Sequence, residues 1–281
     1  MTAPVEVLTS TDGQPVAVHD FGGDGPPLVF GHGNGMNAGM WAAVIHRLRA
    51  SFHCYGIDLR GHGAARAVAA GYSVARTQFA DDVLTVIEHV GGPVAYAGHS
   101  LGGGAGVYAA LVRPELFTGM WLFEPIVVPD GFRRPGNEPG PLIEIARRRR
   151  MTFDSVDDAI NRFSAKPPFS GCDPVSVRAY VEIGTYPIDE GVRLACEGEN
   201  EARVFEQGDT IDFDRLAEVE IPIVVASGAA DDALNALPAH WAPMIAKALG
   251  NGAWVEMPGL THFGPMENPD AIAGAIGTHL A

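Results

Sequence analysis

The sequence predicts an α/β fold: a mostly parallel eight-stranded sheet with helices on both faces and an inserted helical cap. Three observations carry this. Short runs rich in β-branched and aromatic residues alternate with helical patterns. A serine in Gly98-His99-Ser100-Leu101-Gly102 sits where one such run gives way to a helix. The alternation then breaks off between residues 125 and 212. A chain of 281 residues, 47% of them hydrophobic, is long enough to bury a sizeable core.

The strand runs fall at 5–9, 16–21, 28–30, 53–58, 94–97, 119–123, 223–226 and 253–257. Thr11-Asp12-Gly13-Gln14 separates the first two and reads as a turn, so they form an antiparallel hairpin. Helical stretches at 40–50, 74–89 and 236–249 join later runs, and such crossovers imply parallel strands covered on both faces. From residue 125 to about 212 the composition changes to Pro, Gly and Arg, followed by helical stretches at 156–164 and 174–183. The expected organisation is a core of residues 1–124 and 213–281 with a helical cap at 125–212. Within the cap, Arg147 to Arg150 read as a solvated helix face in preference to an anion site, with Glu144 nearby.

A formal net charge of −15 argues against nucleic acid and anionic membrane surfaces as partners and leaves a small-molecule substrate. Three cysteines, Cys54, Cys172 and Cys196, form no C-x-x-C pair and suit a reducing compartment. The start Met1-Thr2-Ala3-Pro4-Val5-Glu6 lacks the basic and apolar regions of a signal peptide, and no apolar run could span a bilayer. A cytoplasmic protein is expected.

The segment 98–102 has the form of a nucleophile elbow, in which small residues permit the strained turn that lifts a serine hydroxyl out of the sheet. A nucleophilic serine needs a base, an acid to orient the base, and N–H donors for an oxyanion. His262 follows the last strand run and emerges at the same sheet edge as Ser100, whereas His32, His62 and His99 sit in glycine-rich turns and read as turn-stabilising. Asp231, just past the run at 223–226, is the first choice for the acid. Glu124, at the end of the run at 119–123, and Asp232 are the alternatives. Leu101 N–H, on the residue after the serine, and Asn34 N–H, in Gly31-His32-Gly33-Asn34-Gly35, are the expected oxyanion donors. Phe163, Phe169, Tyr180 and Tyr186 could supply apolar pocket wall, although packing within the cap core is the commoner use of any one of them.

Four ordered motifs together resemble the α/β-hydrolase-fold enzymes over essentially the whole chain. They are His32-Gly33-Asn34-Gly35, Asp58-Leu59-Arg60-Gly61-His62-Gly63, the elbow at 98–102, and the histidine loop at 259–265. The resemblance implies a cap after the sixth strand, an acid after the seventh, and no need of a cofactor or metal. It does not fix the substrate; the serine, histidine and acid set points to hydrolysis of a small or medium carboxylic ester, or a related acyl compound, through an acyl-enzyme. Thioesterases, lactonases, C–C bond hydrolases and cofactor-free perhydrolases share the layout. Two other classes compete: a receptor that keeps the triad without turnover, and an NAD-binding protein suggested by Gly33-x-Gly35-x-x-Ala38 with Asp58 about 20 residues on.

Overall fold

The computed structural model describes residues 3–132, 140–228 and 236–281. Its eight-stranded sheet has the order β1-β2-β4-β3-β5-β6-β10-β11. The strands are β1 (Val5–Thr9), β2 (Pro15–Gly22), β3 (Pro27–Gly31), β4 (His53–Asp58), β5 (Val94–His99), β6 (Phe117–Phe123), β10 (Ile223–Ser227) and β11 (Gly252–Glu256). β1 and β2 pair antiparallel, β2 meets β4 antiparallel, and every later pairing is parallel. The expected hairpin and crossovers are both present. β5, at the centre, is buried along its whole length, as a parallel strand covered on both faces must be.

Helices α1 (Ala42–Leu48), α2 (Arg76–Val90), α3 (Ser100–Val112), α8 (Ala236–Ala248), α9 (Gly264–Glu267) and α10 (Pro269–Leu280) clothe the sheet. Two apolar clusters occupy its two faces. One gathers Tyr96, Phe79, Val107 and Ile245, and the other Phe30, Trp41, Trp121 and Phe123. Alternate residues of β5 and β6 serve opposite clusters: Tyr96 and Leu122 go to the first, and Ala97 and Phe123 to the second.

The segment between β6 and β10 carries α4 (Pro141–Arg147), α5 (Val156–Ser164), α6 (Pro174–Gly184) and α7 (Gly198–Glu206). Ser155 caps α5 by accepting from Asp158 N–H, and Asp173 caps α6 through Val175 and Ser176 N–H. Beyond the helices expected here, β7 (Thr152–Phe153), β8 (Thr185–Pro187) and β9 (Val192–Leu194) form a small antiparallel sheet. Strands of two or three residues leave too short a pattern for alternation to register in the sequence. Among the described residues no helix is long and apolar enough to cross a membrane, and all three cysteines are free thiols.

The turn from β5 into α3 is tight. Tyr96 Oη donates to Gly102 O at 2.7 Å, and Gly102 N–H donates to His32 O at 2.9 Å, lacing α3 to the end of β3. A Cβ at Gly102 would lie 2.4 Å from the carbonyl carbon of Gly31, a backbone atom that cannot swing away. Gly102→Ala is therefore expected to lower stability by about 1–3 kcal/mol, the usual cost of overpacking. Urea unfolding of the purified variant measures this, and a wild-type midpoint would contradict the packing described.

Candidate active site

Ser100 opens α3 with φ +51°, left-handed backbone that L residues avoid unless the surroundings impose it. Its carbonyl accepts from Ile126 N–H at 3.0 Å, which ties the strained residue to the chain leaving β6. The hydroxyl makes no protein hydrogen bond among the described residues and lies on a cavity of about 970 Å³ whose wall also includes His262, Asn34 and His99. Leu101 is the second residue of α3, so its N–H has no intrahelical acceptor.

His262 follows β11 in the loop before α9, and its side chain is 11% exposed. Nδ1 lies 2.5 Å from Oε2 of Glu124, whose side chain is 1% exposed. A carboxylate can only accept, so Nδ1 carries a proton, and it is then Nε2 whose lone pair is available in the neutral ring. Glu124 Oε1 accepts from Gly228 N–H at 2.9 Å, just past β10. Glu124 itself has φ +46°, and its N–H extends the sheet by donating to Ala226 O at 2.9 Å. These bonds give the place beside Nδ1 to Glu124. The first choice from the sequence, Asp231, and its neighbour Asp232 lie outside the described residues. The left-handed backbone at Glu124 carries a β6 carboxylate across the end of β10 to the histidine loop. The φ value is the signal that the sequence could not show.

The turn after β3 is held by two buried histidines. His32 Nδ1–H donates to Gly33 O at 2.8 Å while its Nε2 accepts from Leu59 N–H at 3.0 Å. His62 Nδ1–H donates to Arg60 O at 3.0 Å, and its Nε2 accepts from Gly35 N–H at 3.1 Å. Each ring must be neutral to play both parts, and burial agrees, pushing His32 down to about 3 and His62 below its ordinary value. Met36 N–H also donates to Gly33 O, at 3.1 Å. With the Gly33 carbonyl gripped from one side, a trans peptide aims Asn34 N–H the opposite way. His99 Nε2–H donates to the carbonyl of His262 at 2.8 Å and so braces the histidine loop. Burial holds it neutral, well below the ordinary histidine range.

Phe163 and Phe169 line the large cavity, with Phe263, Leu142 and Ile145. Tyr180 and Tyr186 do not. Tyr180 is buried beneath the Gly35 turn, and Tyr186 lies on β8 under the Arg66 guanidinium, 4.2 Å from its ring centre. The arginine run divides. Arg147 is paired with Glu199 and Glu206 as a surface group, but Arg149, expected on a solvated face, is turned inward against Glu201 at 2.6 Å and lines the cavity. A run of four like residues does not reveal which member turns inward. Asp58, the acid that a dinucleotide site would need for the ribose, is fully buried and accepts from His19, Ala38 N–H and Ala64 N–H. That removes the support for a nicotinamide site.

Residues 28–275 match the alpha/beta hydrolase family, and the chain belongs to it. It is similar to an (E)-2-((N-methylformamido)methylene)succinate hydrolase of Acinetobacter baylyi, 26% identical over 211 residues, covering 74% of each chain. Its fold resembles that of an E-2-(acetamidomethylene)succinate hydrolase, with TM-score 0.74, 20% identity and 99% of both chains covered. It also resembles a thermophilic esterase from Thermogutta terrifontis, with TM-score 0.71, 22% identity, and 98% and 97% of the two chains covered.

The neutral histidines make stability pH-dependent. Their folded values lie below the unfolded value of 6.5, so as pH falls the unfolded chain takes up protons first. Their contribution is intact above about pH 6.5 and is lost towards the folded values, by up to about 1.4 kcal/mol per pH unit for each ring. Denaturant unfolding between pH 7 and 5 is expected to show this slope, reduced in His62→Gln, which keeps an acceptor for Gly35 N–H. An unchanged slope in that variant would contradict the neutral assignment.

Proposed function

We propose that the protein is a serine hydrolase that cleaves a carboxylic ester, or a related acyl compound, through an acyl-enzyme at Ser100. The observation that carries this reading is the 2.5 Å contact of His262 Nδ1 with Glu124, beside a cavity that His262 and Ser100 share. With its proton on Nδ1, His262 presents the Nε2 lone pair as the base. Ser100 Oγ attacks the carbonyl carbon and its proton passes to Nε2. The carbonyl π pair moves onto oxygen, which the N–H groups of Asn34 and Leu101 receive. The tetrahedral adduct collapses, the C–O bond to the leaving alcohol breaks, and the alcohol takes the proton from Nε2. Water then adds to the acyl-enzyme by the same route, releasing the acid and restoring Ser100. Glu124 stays ionised throughout and stabilises the imidazolium.

The cavity suits a drug-sized substrate with an apolar body held by Phe163, Phe169 and Phe263. The succinate-derived substrates named for two of the similar proteins suggest an anionic group. Here, however, Arg149 is matched by Glu201, and Glu267 adds a negative charge to the wall. That balance favours a neutral substrate. Thioester, lactone, C–C and perhydrolase chemistry would use the same residues, and a substrate panel separates them.

A fluorophosphonate probe is expected to label Ser100 alone, read by mass spectrometry of the digest. Ser100→Ala and His262→Ala should each lower turnover about 10⁴-fold or more, without additivity. Glu124→Gln should fold and lose about 10³- to 10⁴-fold, because the histidine loses the charge that holds its tautomer. Asp231→Asn should stay near wild type. An unlabelled serine would overturn the mechanism, and the opposite ranking of the two acid variants would move the orienting role to Asp231.

A further inference from the structure

The cap reaches further into the site than a substrate wall requires. Gly35 N–H is held from the sheet by His62, but Gly35 O is held from the cap, accepting from Tyr180 Oη at 3.2 Å and from Arg149 Nη1 at 3.4 Å. Arg149 also donates to Tyr180 Oη through Nη2 and to Glu201 Oε2 at 2.6 Å through Nη1. The Asn34 side chain donates from Nδ2 to the main-chain oxygen of Glu201 at 2.9 Å. The fit is close: a Cβ at Gly35, where φ is +73°, would lie 2.6 Å from Glu201 Oε1. One turn further on, Asn37 Nδ2 donates to Tyr180 O at 2.9 Å. Three cap segments, the loop after α4, helix α6 and helix α7, thus converge on the four residues whose first peptide presents Asn34 N–H.

We infer that Arg149, Tyr180 and Glu201 are positioning residues that clamp the Gly33–Met36 turn from the cap and so set the aim of Asn34 N–H; this rests on the acyl-transfer reading above. None of the three is a catalytic residue. The sheet side holds Gly33 O and Gly35 N–H but leaves the Gly35 carbonyl and the Asn34 side chain unheld, so the outer part of the turn could shift and carry the Gly33–Asn34 peptide with it. The half-buried Arg149–Glu201 pair resists that shift because Arg149 binds the Gly35 carbonyl and Glu201 supplies the main-chain acceptor for the Asn34 side chain. An oxyanion donor stabilises charge only where it is already aimed when charge develops, so loosening the turn should cost transition-state binding and leave substrate binding nearly untouched.

The test compares wild type with Tyr180→Phe, which removes one hydroxyl, and with Arg149→Met, which removes the guanidinium at similar length. Initial rates on an aryl ester give kcat and KM separately. Inhibition by an alkylboronic acid, whose adduct with Ser100 resembles the tetrahedral intermediate, reports on the aimed donor, and thermal melting reports on folding. Expected are a fall in kcat of about threefold to tenfold for Tyr180→Phe and about tenfold to a hundredfold for Arg149→Met. KM should stay within about twofold, and boronate affinity should weaken in parallel with kcat. A merely structural clamp would lower the melting temperature and leave kcat and boronate affinity of the folded fraction at wild-type values, which would overturn the inference. If Arg149→Met fails to fold, Tyr180→Phe decides alone. Absence of turnover and probe labelling in wild type would instead defeat the acyl-transfer reading itself.

Discussion

The contact between Glu124 and His262 is the constraint on which the rest of the site depends. It spans the ends of β6, β10 and the loop after β11, and it brings an almost fully buried carboxylate against an imidazole that must face the cavity. A carboxylate with 1% exposure is costly unless its lone pairs are used. Gly228 N–H and His262 Nδ1 use them. The left-handed backbone at Glu124 and at Ser100 costs of order 1–3 kcal/mol at each residue, and the surrounding bonds impose it. Glu124 N–H is locked into the ladder with β10, and Ser100 O is locked to Ile126 N–H. The two strained residues therefore brace each other through the chain that links the end of β6 to the start of α3.

The other half of the site is built from neutral histidines. His32, His62 and His99 each use one ring nitrogen to donate to a main-chain carbonyl. For His32 and His62 the second nitrogen accepts from an N–H, a pairing that an imidazolium could not make. Burial keeps them uncharged, so His32 and His62 act as rigid spacers between the turns after β3 and β4, and His99 between the end of β5 and the loop after β11. The cap completes the same turn from above through Arg149, Tyr180 and Glu201. Chemistry and selection are in this way less separable than a sheet-borne site beneath a passive cap would suggest.

Much of the fold was legible because the strands are short, apolar and separated by helical patterns. All eight of the strand runs correspond to strands of the main sheet, with ends shifted by at most two residues. Ser100 and His262 were legible because a glycine-rich strand-to-helix turn and a loop after the last strand place them at one edge. The partner of His262 was not, because Glu124 and Asp231 both follow strand ends in the sequence and the backbone turn that brings Glu124 to Nδ1 leaves no sequence pattern. Tyr180 was a candidate for either wall or cap packing, and it is buried in the packing with its hydroxyl on Gly35 O, a bond that residue type does not reveal. Arg149 was read with its neighbours as solvated, and a run of like charges hides the one member that turns inward to meet Glu201.

The measurement that tests this account most directly is the proton NMR spectrum of the histidine ring N–H groups at low temperature. A histidine Nδ1–H held by a buried carboxylate at short distance is strongly deshielded and exchanges slowly. The account predicts a far-downfield resonance from His262, beside any from the buried His19–Asp58 pair, that is retained in Asp231→Asn and lost in both His262→Ala and Glu124→Ala. A resonance that survives Glu124→Ala and disappears in Asp231→Asn would contradict it.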